Sequence, residues 1–262
     1  MADSQLSVDE QVPARRDRGL PIVVAVLALG VAIAALAILV RDDDAPDSGV
    51  PPVTSELLEA TLGATAQPFA PDRVCDVYVV PVDSESESVA KRLARALPSR
   101  VPVRACTTSS FRVDSAALDF RRGQLDGVVV TDQLSLAFQQ ARGVAPATVV
   151  GVTALDTYSS TFATDSFDFG VAKRYPQKQG FAVVSTARME SGEDRFSRLE
   201  TMALRYVGLL YYGLPESSST TSALGPAPRS LEELDLLEPQ LSDPPPANAE
   251  LDASREAFLS QK

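Results

Sequence analysis

The stretch DVYVVPVDSESESVAKRLARALPSRVPVRAC, Asp76–Cys106, decides the fold class. It opens with an apolar run rich in β-branched residues, the pattern of a buried strand. Ser84 is the predicted N-cap of the helix that follows, and residues 101–106 predict a second strand. The apolar face of this helix is formed by Val89, Leu93 and Leu97. A strand, a helix and a strand in this order predict two parallel strands joined by a right-handed crossover.

The rest of the domain continues with strands and helices. The predicted elements are a helix over about Thr131–Arg142, a third strand over 147–158 and a long helix over Arg195–Leu214. Phe167, Phe169 and Val171 alternate along the chain, and the apolar run GFAVVST follows after a turn, which predicts a hairpin. The sequence therefore predicts an α/β fold, a mixed twisted sheet with flanking helices, over residues 72–241.

A long apolar segment precedes this domain. Residues 19–40 contain no charged side chain. About 20 such residues cross a bilayer as a helix, whereas the apolar part of a signal peptide is usually ~7–15 residues long. We therefore expect one transmembrane helix, with a cleavable signal peptide as the alternative. Basic residues precede the span (Arg15, Arg16, Arg18) and acidic residues follow it (Asp42, Asp43, Asp44). The positive-inside rule then predicts a cytoplasmic N-terminus and an extracytoplasmic domain.

These predictions divide the chain into segments. They are a cytoplasmic tail (1–18), a transmembrane helix (19–40), an acidic and Pro-rich linker with a short helix (41–71), the α/β domain (72–241) and a Pro-rich C-terminal tail (242–262). The predicted location is the cell membrane, crossed once.

The composition excludes several classes of function. The formal net charge is −11 and no basic patch alternates with aromatic residues, so we expect no nucleic-acid partner. The chain contains no histidine, which removes the usual general base near neutral pH and the commonest zinc ligand. Ser-His-Asp and Cys-His catalytic arrangements are excluded for the same reason.

Several segments, in order, resemble the archaemetzincins, a family of metzincin-type zinc metalloproteases. They are VYVVPV (77–82), FRRGQLDG (120–127), VVGVTALDTYSSTF (149–162) and FDFGVAKRYPQKQGFAVVSTARM (167–189). The stretch RLETMALRYVGLLYYGL (198–214) then lies where the family has its zinc-binding helix. The resemblance covers roughly residues 74–241 and implies a metzincin-like sandwich.

The resemblance also implies which positions once held zinc. Matched along the helix, Arg205 and Leu209 stand at the first two histidines and Tyr206 at the glutamate base. Matched from the following turn, Gly213 stands at the glycine that ends the helix and Glu216 at the third histidine. Ser217 and Ser222 stand at two family cysteines and Leu224 at the methionine of the turn. The two registers differ by one residue, which implies an added residue near Tyr211 or Tyr212.

These changes predict a degenerate member that binds no zinc and no other cofactor and is not an enzyme. The predicted function is that of a membrane-anchored pseudo-metalloprotease that binds or scaffolds an unidentified protein or peptide, which could add to the sheet edge. The alternatives are a hydrolase with non-zinc chemistry, drawing on Lys173 or Lys178 beside a serine, and a structural spacer of the cell envelope.

Three further sets of residues have more than one interpretation. Tyr211 and Tyr212 either line a retained binding cleft or pack in the core with their hydroxyls at the surface. Cys75 and Cys106 are candidates for a disulfide, which an oxidising compartment favours. Regular parallel strands would instead place these cysteines at opposite ends of the sheet, beyond the ~7 Å limit between Cα atoms. Arg205 either pairs with Glu216 or lies at the surface.

Overall fold

The computed structural model describes residues 75–140, 147–161, 167–175 and 180–241, which all belong to one compact unit, residues 49–262. The predicted cytoplasmic tail, transmembrane helix, linker and C-terminal tail lie outside the described residues, and their boundaries stay predictions. None of the helices in the described ranges has the length and apolar character needed to cross a membrane.

The described part of the chain alternates strands with helices. The strands are β1 (Val77–Pro81), β2 (Ala105–Thr107), β3 (Leu118–Asp119), β4 (Gln124–Asp126), β5 (Thr148–Thr153), β6 (Thr157–Tyr158), β7 (Gly170–Arg174) and β8 (Gly180–Ser185). The helices are α1 (Glu87–Arg100), α2 (Gly127–Gln140), α3 (Glu193–Tyr206) and α4 (Leu231–Asp235), with a 3₁₀ turn at Ser115–Ala117. A π-helical turn, Val207–Tyr211, continues α3.

A five-stranded mixed sheet forms the centre, in the order β2-β1-β5-β8-β7. The first four of these strands are parallel, and β7 pairs antiparallel with β8. The predicted parallel unit is confirmed, because β1 and β2 pair with Tyr78 opposite Cys106 and α1 connects them. The predicted hairpin is also confirmed, with Ala172 opposite Ala182.

Helices cover both faces of this sheet. On one face α1 and α3 pack against Val77, Val79, Val150 and Val152. On the other face α2 packs against a second set of strand residues, Tyr78, Val80, Val149, Phe181 and Val183. All residues of β1, β5 and β8 are therefore buried, which explains why their sequences are continuous apolar runs. The predicted sheet with flanking helices is confirmed.

Three details differ from the predictions. Helix α1 has Ser86 rather than Ser84 at its N-cap position, and the Ser86 hydroxyl donates to the Asp83 carbonyl instead of capping the helix. Helix α2 begins at Gly127, where the Asp126 carboxylate accepts the N–H of Val128 at 3.0 Å. Strands β3, β4 and β6 form a second small sheet that was not predicted, since two- and three-residue strands have no readable period.

A disulfide joins Cys75 to Cys106, with the Cα atoms 6.0 Å apart. The prediction that regular strands would separate these cysteines is wrong for a local reason. Strand β2 begins at Ala105 rather than near residue 101, so Cys106 lies beside the start of β1. The N–H groups of Asp76 and Val77 both donate to the Arg104 carbonyl, at 2.8 and 3.2 Å, which bends the chain before β1 towards β2.

We predict that Cys106→Ser lowers the free energy of unfolding by about 3 to 4 kcal/mol, because the bridge closes a loop between residues 31 apart. Urea unfolding of the purified protein measures the change. A reductant should lower the stability of the unaltered protein by a similar amount and leave the variant unchanged. An equal effect of reductant on both proteins would contradict the prediction.

Candidate functional site

The candidate site lies where α3 passes into the π-helical turn and the chain then doubles back through residues 213–225. The resemblance places the zinc and base positions Arg205, Tyr206, Leu209 and Glu216 here. The structure brings Arg205 and Glu216 together. Tyr206 instead packs against strand β7, and Leu209 contacts Arg174 at the end of that strand.

Arg205 is a buried cation, with 3 % of its side chain exposed. Its Nη2 donates to the Glu216 carboxylate at 2.8 Å. Its Nη1 donates to the backbone carbonyls of Ala223, at 3.3 Å, and Gly225. Glu216 approaches from the surface, with 68 % of its side chain exposed. The guanidinium therefore links α3 to two points of the segment 216–225.

Tyr206, at the position of the family's glutamate base, is buried beneath strand β7. A Cβ added to Gly170 would lie 2.7 Å from the Tyr206 hydroxyl oxygen, so the ring packs directly against the β7 backbone. Burial raises the pKa of Tyr206 above its ordinary value; the charge of Arg205 opposes this rise and that of Asp168 adds to it. A phenol in this state keeps its proton at neutral pH and is no substitute for a carboxylate base.

Leu209 supplies a backbone contact rather than a ligand. Its carbonyl oxygen accepts a hydrogen bond from the Arg174 guanidinium at the end of β7. Its side chain is apolar, so the position offers no atom that binds a metal ion. Arg174 was not among the residues that the sequence indicated, because only the tertiary fold brings β7 to the π-helical turn.

The π-helical turn explains why two registers could be drawn along this helix. The N–H of Tyr212 donates to the carbonyl of Val207 at 3.2 Å, five residues earlier. A π turn holds one residue more than an α turn in the same hydrogen-bonded ring. Gly213, with φ at +69°, then ends the helix in a conformation that favours glycine. The predicted long helix over Arg195–Leu214 is observed as α3 and its π-helical turn, Glu193–Tyr211, and ends three residues earlier than predicted.

Gly208 lies where the helix meets the returning chain. A Cβ on Gly208 would come within 2.7 Å of a Leu224 methyl carbon and 3.1 Å of Leu241. Leu224 is the residue that the resemblance matches to the methionine of the family's turn. Glycine is needed at 208 because the turn packs against the helix backbone itself.

Tyr211 and Tyr212 lie away from strand β7. The Tyr211 ring is buried in the core on the α1 and α3 side of the sheet, and Tyr212 packs against that core. The two rings meet edge to face with centroids 4.9 Å apart. The Tyr212 hydroxyl donates to the Pro102 carbonyl at 3.3 Å, near strand β2 at the other edge of the sheet. These contacts correspond to core packing.

Lys173, considered for non-zinc hydrolysis, lies on the α2 side of β7. Its ammonium pairs with the Asp132 carboxylate at 2.5 Å, and the Tyr175 hydroxyl donates to the same carboxylate. Burial raises the pKa of Tyr175 above its ordinary value, and the hydrogen bond to Asp132 adds to the rise. Lys178 lies outside the described residues. This cluster ties β7 to α2.

The residues at the matched positions do not fit a zinc ion. Arg205 places a fixed positive charge there, Tyr206 is buried as a phenol, and Leu209 has no donor. Glu216 supplies one carboxylate, which Arg205 already engages. Within the described ranges, no three His, Cys, Asp or Glu side chains are grouped so as to hold a metal ion.

The fold resembles that of known zinc peptidases. No protein-family model matches the chain, and no curated protein matches its sequence. A zinc-dependent peptidase from Methanocorpusculum labreanum matches with a TM-score of 0.53 at 17 % identity, covering 68 % of this chain and 98 % of that one. Two archaemetzincins also match. That from Methanopyrus kandleri has a TM-score of 0.48 at 19 % identity and covers 70 % of this chain and 94 % of that one. That from Archaeoglobus fulgidus has a TM-score of 0.47 at 20 % identity and covers 68 % of this chain and 98 % of that one.

The similarity to the Methanocorpusculum labreanum peptidase shows that the chain shares its fold, a mixed sheet with flanking helices. The prediction that the chain is not an enzyme is contradicted, because the solved structure whose fold the chain shares is that of a zinc-dependent peptidase. The absence of a zinc donor set at the matched positions is a separate observation, made on the described residues.

We predict that Gly208→Ala lowers the free energy of unfolding by about 1 to 2 kcal/mol, since overpacking against Leu224 outweighs the gain in helix propensity. Chemical denaturation measures the change in the free energy of unfolding. In a Leu224→Ala background the added methyl group has room, so the loss should shrink by about 1 kcal/mol. Leu236→Ala, at a residue 59 % exposed, is the control and should combine additively with Gly208→Ala. If the stability losses of Gly208→Ala and Leu224→Ala were also additive, the prediction would be refuted.

Proposed function

We propose that the chain is a membrane-anchored, extracytoplasmic protein whose domain binds an extended peptide along the edge strand β7. The proposal concerns binding, which hydrolysis of a peptide by this fold would also require. It treats Arg205, Tyr206, Leu209 and Glu216 as replacements of the zinc-binding and base residues, and it needs no metal.

The hydrogen-bonding pattern of β7 carries this proposal. The Ser185 N–H donates to the Phe169 carbonyl at 2.9 Å, which orients Phe169 towards β8. Backbone direction alternates along a strand, so Val171 and Lys173 also face β8, while Gly170, Ala172 and Arg174 direct their N–H and C=O groups away from it. Among the described residues, β7 pairs in the sheet with β8 alone.

The Asp168 N–H, just before β7, donates to the Thr157 carbonyl of β6 at 2.8 Å, so the edge available to a second strand begins at Gly170. The side chains that follow along this edge are small or turned aside. Gly170 has none, and Ala172 has an exposed methyl group. Arg174 turns aside to the Leu209 carbonyl. An edge with unpaired backbone groups is a template for β-augmentation, in which main-chain hydrogen bonds supply the affinity. The ligand class that fits is a peptide in extended conformation.

The membrane location rests on the sequence and on the disulfide. Residues 19–40 carry no charge, and Arg15, Arg16 and Arg18 precede them. A disulfide between Cys75 and Cys106 is typical of an oxidising compartment outside the cytoplasm. Both observations support the same orientation, with the domain outside the membrane.

We predict that protease added to intact cells that make the full chain digests the domain, because it lies on the outer side of the membrane. Immunoblotting of the membrane fraction measures the loss, and a cytoplasmic protein that stays intact is the control. A chain lacking residues 19–40 should leave the membrane fraction. Protection of the domain until the cells are lysed would contradict the proposed orientation.

We predict that Ala172→Pro weakens peptide binding by roughly tenfold, since it removes an outward N–H and its ring obstructs the incoming strand. The bonds to β8 do not use this N–H, so the thermal midpoint should change little. Fluorescence polarisation with a library of labelled ten-residue peptides provides the measurement. Mass spectrometry of the same mixtures detects any cleavage, with and without a chelator.

Ala172→Thr is the matched control, because it changes the side chain and keeps the N–H. It should bind the peptides as the unaltered chain does. Equal binding by the proline variant, or no binding by the unaltered chain, would refute the proposal. The second outcome would favour the envelope spacer.

A further inference from the structure

We infer that Arg205 serves as a built-in cation that holds the segment 216–225 against α3, and that this position takes a guanidinium in place of a divalent metal ion. The inference goes beyond peptide binding at β7 and does not depend on it. It rests on the contacts of the guanidinium and on the way the segment is closed.

The segment 216–225 is a loop closed by two internal hydrogen bonds between backbone groups. The Ser217 N–H donates to the Leu224 carbonyl at 2.8 Å, and the Gly225 N–H donates to the Ser222 carbonyl at 2.7 Å. A Cβ at Gly225 would lie 2.3 Å from the Ser219 carbonyl oxygen, so the chain is tightly folded here. These contacts fold the loop compactly, and the Glu238 N–H adds a bond to its Thr221 carbonyl at 2.7 Å.

Arg205 holds both ends of this loop. Glu216 at its start accepts from Nη2, and the carbonyls of Ala223 and Gly225 at its end accept from Nη1. A guanidinium presents several donors in a rigid plane, which suits three acceptors from separate points of the chain. One cation thus gathers oxygen atoms from two backbone positions and one carboxylate, as a bound metal ion would.

The charges show why a metal ion does not share this place. Arg205 is buried, and the nearest carboxylate that it meets, Glu216, is already its partner. A divalent cation at this position would be repelled by the buried guanidinium, and Glu216 is the one carboxylate there, among the described residues, to offset the repulsion. The loop carbonyls are also engaged by the guanidinium. The site is therefore complete without a metal ion.

The two members of the ion pair are not equivalent. Glu216 is largely exposed, so water can solvate Arg205 at that side when Glu216 is replaced. Replacement of Arg205 removes every guanidinium contact to the loop and leaves the carbonyls of Ala223 and Gly225 without this donor. The loop therefore depends on Arg205 far more than on Glu216.

Hydrogen exchange of the full chain tests the inference. In Arg205→Met the amides of Ser217 and Gly225 should exchange at least about tenfold faster, while amides of β1 and β5 keep their rates. Arg205→Lys should restore part of the protection, and Glu216→Gln should change it little. Unchanged exchange of Ser217 and Gly225 in a folded Arg205→Met protein would overturn the inference.

Arg198→Met is the matched control. Arg198 lies on the same helix with 10 % of its side chain exposed and pairs with Glu190 and Asp235 instead of the loop. Its replacement should leave the two loop amides protected. If Arg205→Met does not fold, the Arg205→Lys variant provides the test. Lysine cannot reproduce all three contacts of the guanidinium. Loop protection in Arg205→Lys equal to that of the unaltered chain would therefore contradict the inference.

Zinc chloride alone is the second probe. Addition to the unaltered chain should leave the exchange of Ser217 and Gly225 unchanged. Stoichiometric zinc binding that slows their exchange and is lost in Glu216→Gln would overturn the inference, because the position would then accept a metal ion beside Arg205.

Discussion

Burial of both faces of the five-stranded sheet is the constraint on which the rest of this structure depends. Helices α1 and α3 cover one face and α2 covers the other, so the side chains of β1, β5 and β8 are buried throughout. With the faces occupied, the backbone groups at the edge of the sheet remain as the place where a strand can be added. The antiparallel strand β7 forms one of the two edges, and its outward groups define the proposed peptide site.

The end of α3 connects this core to the returning chain. Three features coincide there: a buried cation at Arg205, a widened turn at Val207–Tyr211 and close packing at Gly208. The widened turn alters the spacing that two histidines four residues apart on a regular helix would need, and Arg205 places a positive charge where the first of them would stand. The helix retains its place in the fold, while its polar contacts serve to hold the loop 216–225.

Fold and chemistry give different information about this chain. The overall fold resembles that of a zinc-dependent peptidase, which contradicts the prediction of a non-enzyme. The residues at the matched positions do not form a zinc donor set. Peptide binding at an edge strand is consistent with both observations, because it uses backbone groups rather than the replaced ligands.

The sequence by itself determined the α/β class, the parallel β1-α1-β2 unit and the β7-β8 hairpin, because continuous apolar runs and helical spacing record burial locally. It also indicated Arg205 and Glu216 as candidate site residues, through a resemblance. Only the tertiary structure decided that these two side chains pair, that Arg174 binds the Leu209 carbonyl and that Tyr212 reaches Pro102. It also decided the disulfide, because the pairing of β2 with the start of β1 places Cys106 beside Cys75. Such contacts join residues far apart in the chain. Their geometry depends on tertiary packing, which local sequence patterns do not predict.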